Sequence, residues 1–196
     1  LTVFIPLALG WIYPNILSPI HIIFLELIMG PTCSIIFENE PMEKNTMLRK
    51  PRPFTNTFFN LKELTVSVIQ GLAITAGTLL VYQYSVQQGF DEAHTRTMVF
   101  TVLIVANIFL TLVNRSFYYS IFTTLRYKNN LVLLIIAITI AITGLMLFVP
   151  PLTQFFEFEV INLYQLMICI GIGFASVIWY ELVKVNTRVK SKRRER

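Results

Sequence analysis

The chain has 196 residues, of which 55% are hydrophobic and only 14% charged, with a mean hydropathy of +0.64. That balance excludes an ordinary soluble domain and indicates an all-α fold, a polytopic transmembrane helix bundle in a lipid bilayer. The net charge of +5 does not signal nucleic acid, because the basic residues fall in short loops between apolar segments and in the C-terminal stretch. Neither cysteine, Cys33 or Cys169, sits in a CxxC pattern, so no disulfide or zinc framework is indicated.

In chain order, Leu1 to about Ile12 reads as the end of a helix that begins upstream. It is apolar but has neither the basic start nor the small-residue cleavage site of a signal peptide. With no initiator methionine, the chain is expected to be part of a longer protein. Tyr13 to Ser18, with Pro14 and Asn15, is a tight turn that joins this helix to the next one as a hairpin. Pro19 to Phe37 then supplies nineteen residues, enough to cross a hydrocarbon core of about 30 Å, and Glu26 is its only formal charge. An ionised carboxylate in hydrocarbon costs several kcal/mol unless it is paired, protonated or facing a polar cavity, so Glu26 is a candidate cation ligand. Four residues on, Gly30 and Pro31 predict a helix break that releases carbonyls near residues 26 to 30 as further ligands. Met29 and Cys33 are ordinary packing residues before they are a soft-metal pair. His21 reads as an interfacial hydrogen-bonder.

Glu38 to Lys62 is a polar loop. Leu64 to Tyr84 is the next span, whose Gly71, Ala73, Ala76 and Gly77 allow a neighbouring helix to come close. Ser85 to Arg96 reads as a polar connection. Thr97 to Val113 spans again, with Asn107 as its only strongly polar interior residue. Leu131 to Val149 reads as lipid-facing. Pro150 and Pro151 open a loop carrying Glu157 and Glu159, and Val160 to about Val183 is the last span. Residues 1–187 thus form one membrane domain of about six segments, the first truncated, and residues 188–196 a mobile basic tail. Fifteen of the sixteen Lys and Arg residues fall on alternate connections that share one side. Only Arg96 lies opposite, among Asp91, Glu92, Glu157 and Glu159, so the C-terminus is expected in the cytoplasm.

The run PIHIIFLELIMGPTCSIIFENEP followed by MEKNTMLRKPR resembles the sixth transmembrane helix and following loop of P-type cation-transporting ATPases of the calcium-pump type. TMVFTVLIVANIFLTLVNRS is similar to that family's eighth helix, and the PPL turn precedes its tenth. The resemblance covers nearly the whole chain. It implies ATP-driven cation transport through a phosphorylated aspartate, with Ca2+ as the transported cation. Mg-ATP is expected in cytoplasmic domains outside these residues, and further N-terminal membrane helices are implied as partners, in the plasma membrane. Glu26 occupies a family ligand position, Gly30 stands where calcium pumps have a coordinating aspartate, and Met29 where they have a threonine. Asn107 aligns with an eighth-helix carboxylate. The competing expectation is a self-contained transporter, channel or accessory subunit without ATPase chemistry.

Overall fold

The computed structural model describes residues 1–39, 61–115 and 130–194. Among these residues the chain is helical, with no strand: α1 (Phe4–Ala8), α2 (Pro19–Glu38), α3 (Leu61–Gln87), α4 (Glu92–Asn114), α5 (Asn130–Phe148), α6 (Pro150–Phe155) and α7 (Leu163–Arg194). Five of them, α2 to α5 and α7, are long and apolar enough to cross a membrane. Much of the expected loop between Glu38 and Lys62, with Lys44, Arg49, Lys50 and Arg52, lies outside the described residues, as do Arg126 and Lys128.

Helix α4 is the axis of the bundle. It packs chiefly against α7 and α3, which also pack against each other, while α2 and α5 lie on its outer side and contact one another. Two glycines make the close approaches. A Cβ on Gly173 of α7 would stand 2.8 Å from Val105 Cγ1 and 3.1 Å from the Ala106 nitrogen of α4, and one on Gly77 of α3 would meet Ser176 Oγ at 2.1 Å. Small residues of α3 therefore do admit a neighbour, but at Gly77. A Cβ on Gly71 would meet nothing within 4 Å.

Several boundaries differ from those read in the sequence. The first helix does not run to Ile12 but is five residues long. Gly10, at φ +62°, ends it, with Gly10 N–H donating to Leu7 O and Trp11 N–H to Pro6 O, the paired bonds of a Schellman cap. Helix α4 starts at Glu92, inside the stretch read as a connection, because the Asp91 carboxylate accepts the His94 N–H at 3.0 Å and caps it. The Pro150-Pro151 pair starts the short helix α6 rather than a loop, since proline suits the first helical turn. The basic segment expected to be mobile continues α7 as helix to Arg194. Helix α2 passes through Gly30 and Pro31 without interruption, so the expected break is not an unwound segment. What remains of it is local: Pro31 has no N–H to offer the Leu27 carbonyl.

Candidate cation site on the second membrane helix

Helix α2 presents a mixed pair of faces. His21, Ile28 and Ile36 are buried, and Phe24, Leu25 and Met29 are half-buried against the aromatic cluster at one end of the bundle. Ile22, Ile23, Glu26, Leu27 and Gly30 are exposed. At 100° per residue Glu26 lies nearly opposite Ile28 and its row. No hydrogen bond or ion pair joins the Glu26 carboxylate to another described residue, and a Cβ added at Gly30, one turn on, meets nothing within 4 Å. The surface shared by the two positions is open.

Asn107 is half-buried on α4, with its side-chain nitrogen donating to the Leu103 carbonyl at 2.8 Å, which leaves the amide oxygen as the acceptor. One turn further, the Thr111 hydroxyl donates to the Asn107 carbonyl at 2.9 Å and lies 3.2 Å from Cys33 Sγ. Cys33 thus faces α4. Met29, against the core, and Cys33, against Thr111, are packing residues here, in keeping with the plainer reading of that pair. The structure brings α2 and α4 together through Cys33 and Thr111, not through Glu26 and Asn107.

Three groups that fix this geometry were underestimated in the sequence. His21 is buried: its Nδ1 accepts the Ser18 N–H at 3.1 Å, and its Nε2 donates to the Phe156 carbonyl at 2.7 Å, clamping the start of α2 to the α6–α7 turn. Arg96, read as a loop charge, is buried in the first turns of α4 and donates to the Ile16 carbonyl and to the carboxylates of Glu92 and Glu157. Lys184, counted with the tail, is buried at the other end of α4, donating to the Val113 carbonyl and, at 3.0 Å, to Glu181. It satisfies a last-turn carbonyl of α4 at the negative end of that helix. Spacing offered a faint signal for two of them, Glu92 with Arg96 at i,i+4 and Glu181 with Lys184 at i,i+3. Near Arg96, His94 Nδ1 lies 3.3 Å from a Glu159 oxygen, a contact between the start of α4 and the α6–α7 loop.

The five long apolar helices define an integral membrane domain. Residues 14–186 match the family profile described as cation transporting ATPase, C-terminus. The chain belongs to that family. It is 23% identical over 180 residues to the human calcium-transporting ATPase type 2C member 1, covering 92% of this chain and 20% of that protein. The rat calcium-transporting ATPase type 2C member 2 is 24% identical, with 91% of this chain and 19% of the relative covered. Calcium-transporting ATPase 1 of Yarrowia lipolytica is 26% identical over 165 residues, 84% of this chain and 18% of the relative. The chain spans about a fifth of the length of such relatives.

Proposed function

We propose that this region serves an ATP-driven calcium pump and that Glu26 contributes a carboxylate to its transmembrane cation site. The observation that carries the reading is that the one acid within the apolar run of α2 faces away from the bundle, on an open surface and without a partner among the described residues. A carboxylate cannot stay ionised against lipid, so that face belongs against other membrane segments of the whole protein, where a cation or a proton neutralises it. Pro31 adds to the same surface, because the Leu27 carbonyl lacks its helical donor and Leu27 is exposed beside Glu26. Carboxylate and carbonyl oxygens are the hard ligands calcium takes. Asn107, with its amide oxygen unspent on Leu103, is the secondary candidate. Gly30 supplies no oxygen from a side chain, so the site relies on fewer carboxylates than the family pattern implies.

ATP hydrolysis through an aspartyl phosphate, with Mg-ATP bound, belongs in this proposal to cytoplasmic domains upstream, next to further N-terminal membrane helices. Fifteen of the sixteen Lys and Arg residues fall on the Lys184 side of α4 by sequence position, against Arg96 alone at its other end, which supports an orientation with the Lys184 end and the C-terminus in the cytoplasm. Plasma-membrane residence belongs to the same proposal and is checked by surface biotinylation. The test of the whole reading is phosphorylation of the full-length protein from ATP. An acid-stable phosphoenzyme that forms only with calcium is expected, and its absence with calcium at any concentration would overturn the reading.

A further inference from the structure

We propose that Arg96 is a positioning residue for the Glu26 helix: a buried guanidinium that pins the start of α2 from the side of α4 and so sets where Glu26 stands. The proposal rests on the reading of Glu26 as a cation ligand and adds a residue that touches no cation.

Three arms leave the guanidinium. Nε donates to the Ile16 carbonyl at 2.9 Å, in the segment between α1 and α2 and two residues before the Ser18 cap. One terminal nitrogen donates to Glu157 twice, to the side chain at 2.6 Å and to the backbone carbonyl at 3.2 Å, in the α6–α7 turn. The other donates to Glu92 at 2.6 Å, one turn back on α4 itself. The Arg96 side chain is only 8% exposed, whereas Glu92 and Glu157 are 47% and 68% exposed, so the carboxylates reach inward from the surface to a charge that cannot leave. A buried cation is tolerated only when paired and hydrogen-bonded, and the five N–H donors of a planar guanidinium serve these four acceptor atoms at once, one more than the three N–H groups of an ammonium reach. Glu157 also carries a φ of +50°, the only positive φ outside glycine among the described residues. Such a backbone persists where its surroundings hold it. Here Arg96 grips both its carbonyl and its carboxylate, while His21 holds the carbonyl of the preceding Phe156 at 2.7 Å.

This anchor matters for Glu26 because it and the His21 clamp together hold one end of a helix only 19% of whose span is buried. Glu26 lies seven residues beyond Pro19, about 10 Å along the axis. A tilt of about 10° at the anchored end therefore moves the carboxylate by about 2 Å, and a site loses its fit well before that. Glu92 binds Arg96 only within α4, so it provides an internal control.

The experiment uses the full-length protein in lipid nanodiscs with three substitutions, Arg96→Lys, Glu157→Gln and Glu92→Gln. Amide exchange is followed over residues 11–18, and phosphorylation is measured against calcium concentration and, separately, from inorganic phosphate. Arg96→Lys is expected to speed exchange in that segment by about tenfold, the effect of losing one charge-assisted hydrogen bond, and to raise the calcium needed for half-maximal phosphorylation by a similar factor. Phosphorylation from inorganic phosphate should reach its usual level. Glu157→Gln should move both readouts the same way by about threefold, which keeps the test open if the lysine variant fails to accumulate, and Glu92→Gln should leave both within about twofold. Unchanged exchange in Arg96→Lys or in Glu157→Gln would overturn the anchor. Faster exchange with unchanged calcium dependence would overturn the positioning of Glu26, and so would a Glu92→Gln effect equal to that of Arg96→Lys. If the unmodified protein forms no calcium-dependent phosphoenzyme, the pump reading falls, and exchange alone decides whether Arg96 anchors α2.

Discussion

Helices α2 and α4 are closely matched in sequence terms, with 20 and 23 residues and hydropathies of 1.9 and 2.1, yet 19% of the first span and 56% of the second lie buried in the bundle. The difference lies in how each handles its polar groups. In α4, Thr97, Thr101 and Thr111 turn their hydroxyls back onto carbonyls four residues earlier, and Asn107 does the same with its amide nitrogen. Those side chains are satisfied inside the helix, so α4 can be surrounded by α3, α7 and α2 along most of its length, and only His94 Nε2 and the Thr95 hydroxyl in its first turns are buried without a hydrogen-bond partner among the described residues. Helix α2 keeps Glu26 on the face that its neighbours do not cover. One helix is the scaffold around which the others pack, and the other presents a surface to something beyond these residues.

The contrast can be broken most severely in the scaffold. Phe100 of α4 is fully buried, with its ring 4.9 Å from that of Phe158 and 5.9 Å from that of His21. Phe100→Ala is expected to cost about 3 to 5 kcal/mol, seen as a fall in the thermal midpoint of the detergent-solubilised full-length protein. Equal damage from Leu27→Ala on the open face of α2 would erase the distinction. A smaller effect is expected at the glycine contacts. Gly173→Val forces α7 away from Val105 and Ala106, which costs about 1 to 3 kcal/mol. Gly30→Ala meets open space and should be neutral or slightly stabilising, since alanine is the better helix former. Smaller again is the pair of amides between α3 and α4, where Gln70 donates to Asn114 at 3.2 Å and Asn114 donates back at 3.4 Å. A double-mutant cycle with Gln70→Leu and Asn114→Leu should give a coupling of about 0.6 kcal/mol, as membrane hydrogen bonds usually do. A coupling indistinguishable from zero would show that the pair does not hold α3 to α4.

The five spans were legible in the sequence because long apolar runs bounded by prolines and charges leave a membrane helix little freedom to be anything else. Glu26 was legible for the same reason, as a single charge in such a run. The start of α4 was missed because Asp91, Glu92, His94 and Arg96 look like a loop by composition. Only the cap at Asp91 and the inward turn of Arg96 show that the helix has begun. Lys184 was missed as a core residue because a lysine at the margin of a basic stretch normally marks topology, and its fit against the Val113 carbonyl depends on how α7 crosses α4. The direction in which Glu26 points was also illegible. Apart from His21, Glu26 and small polar residues, apolar side chains surround α2, so no apolar stripe distinguishes its covered face from its open one.

Glu26 should show the smallest change in stability of all, because no described side chain depends on it. Its substitution is therefore the most direct test of the account. In the full-length protein, Glu26→Gln is expected to leave the thermal midpoint and phosphorylation from inorganic phosphate unchanged, while raising the calcium concentration for half-maximal phosphorylation by about tenfold or more, the effect of losing at least about 1.4 kcal/mol of cation binding. An unchanged calcium dependence in a well-expressed Glu26→Gln protein would contradict the assignment and leave the acid on α2 without a part in transport.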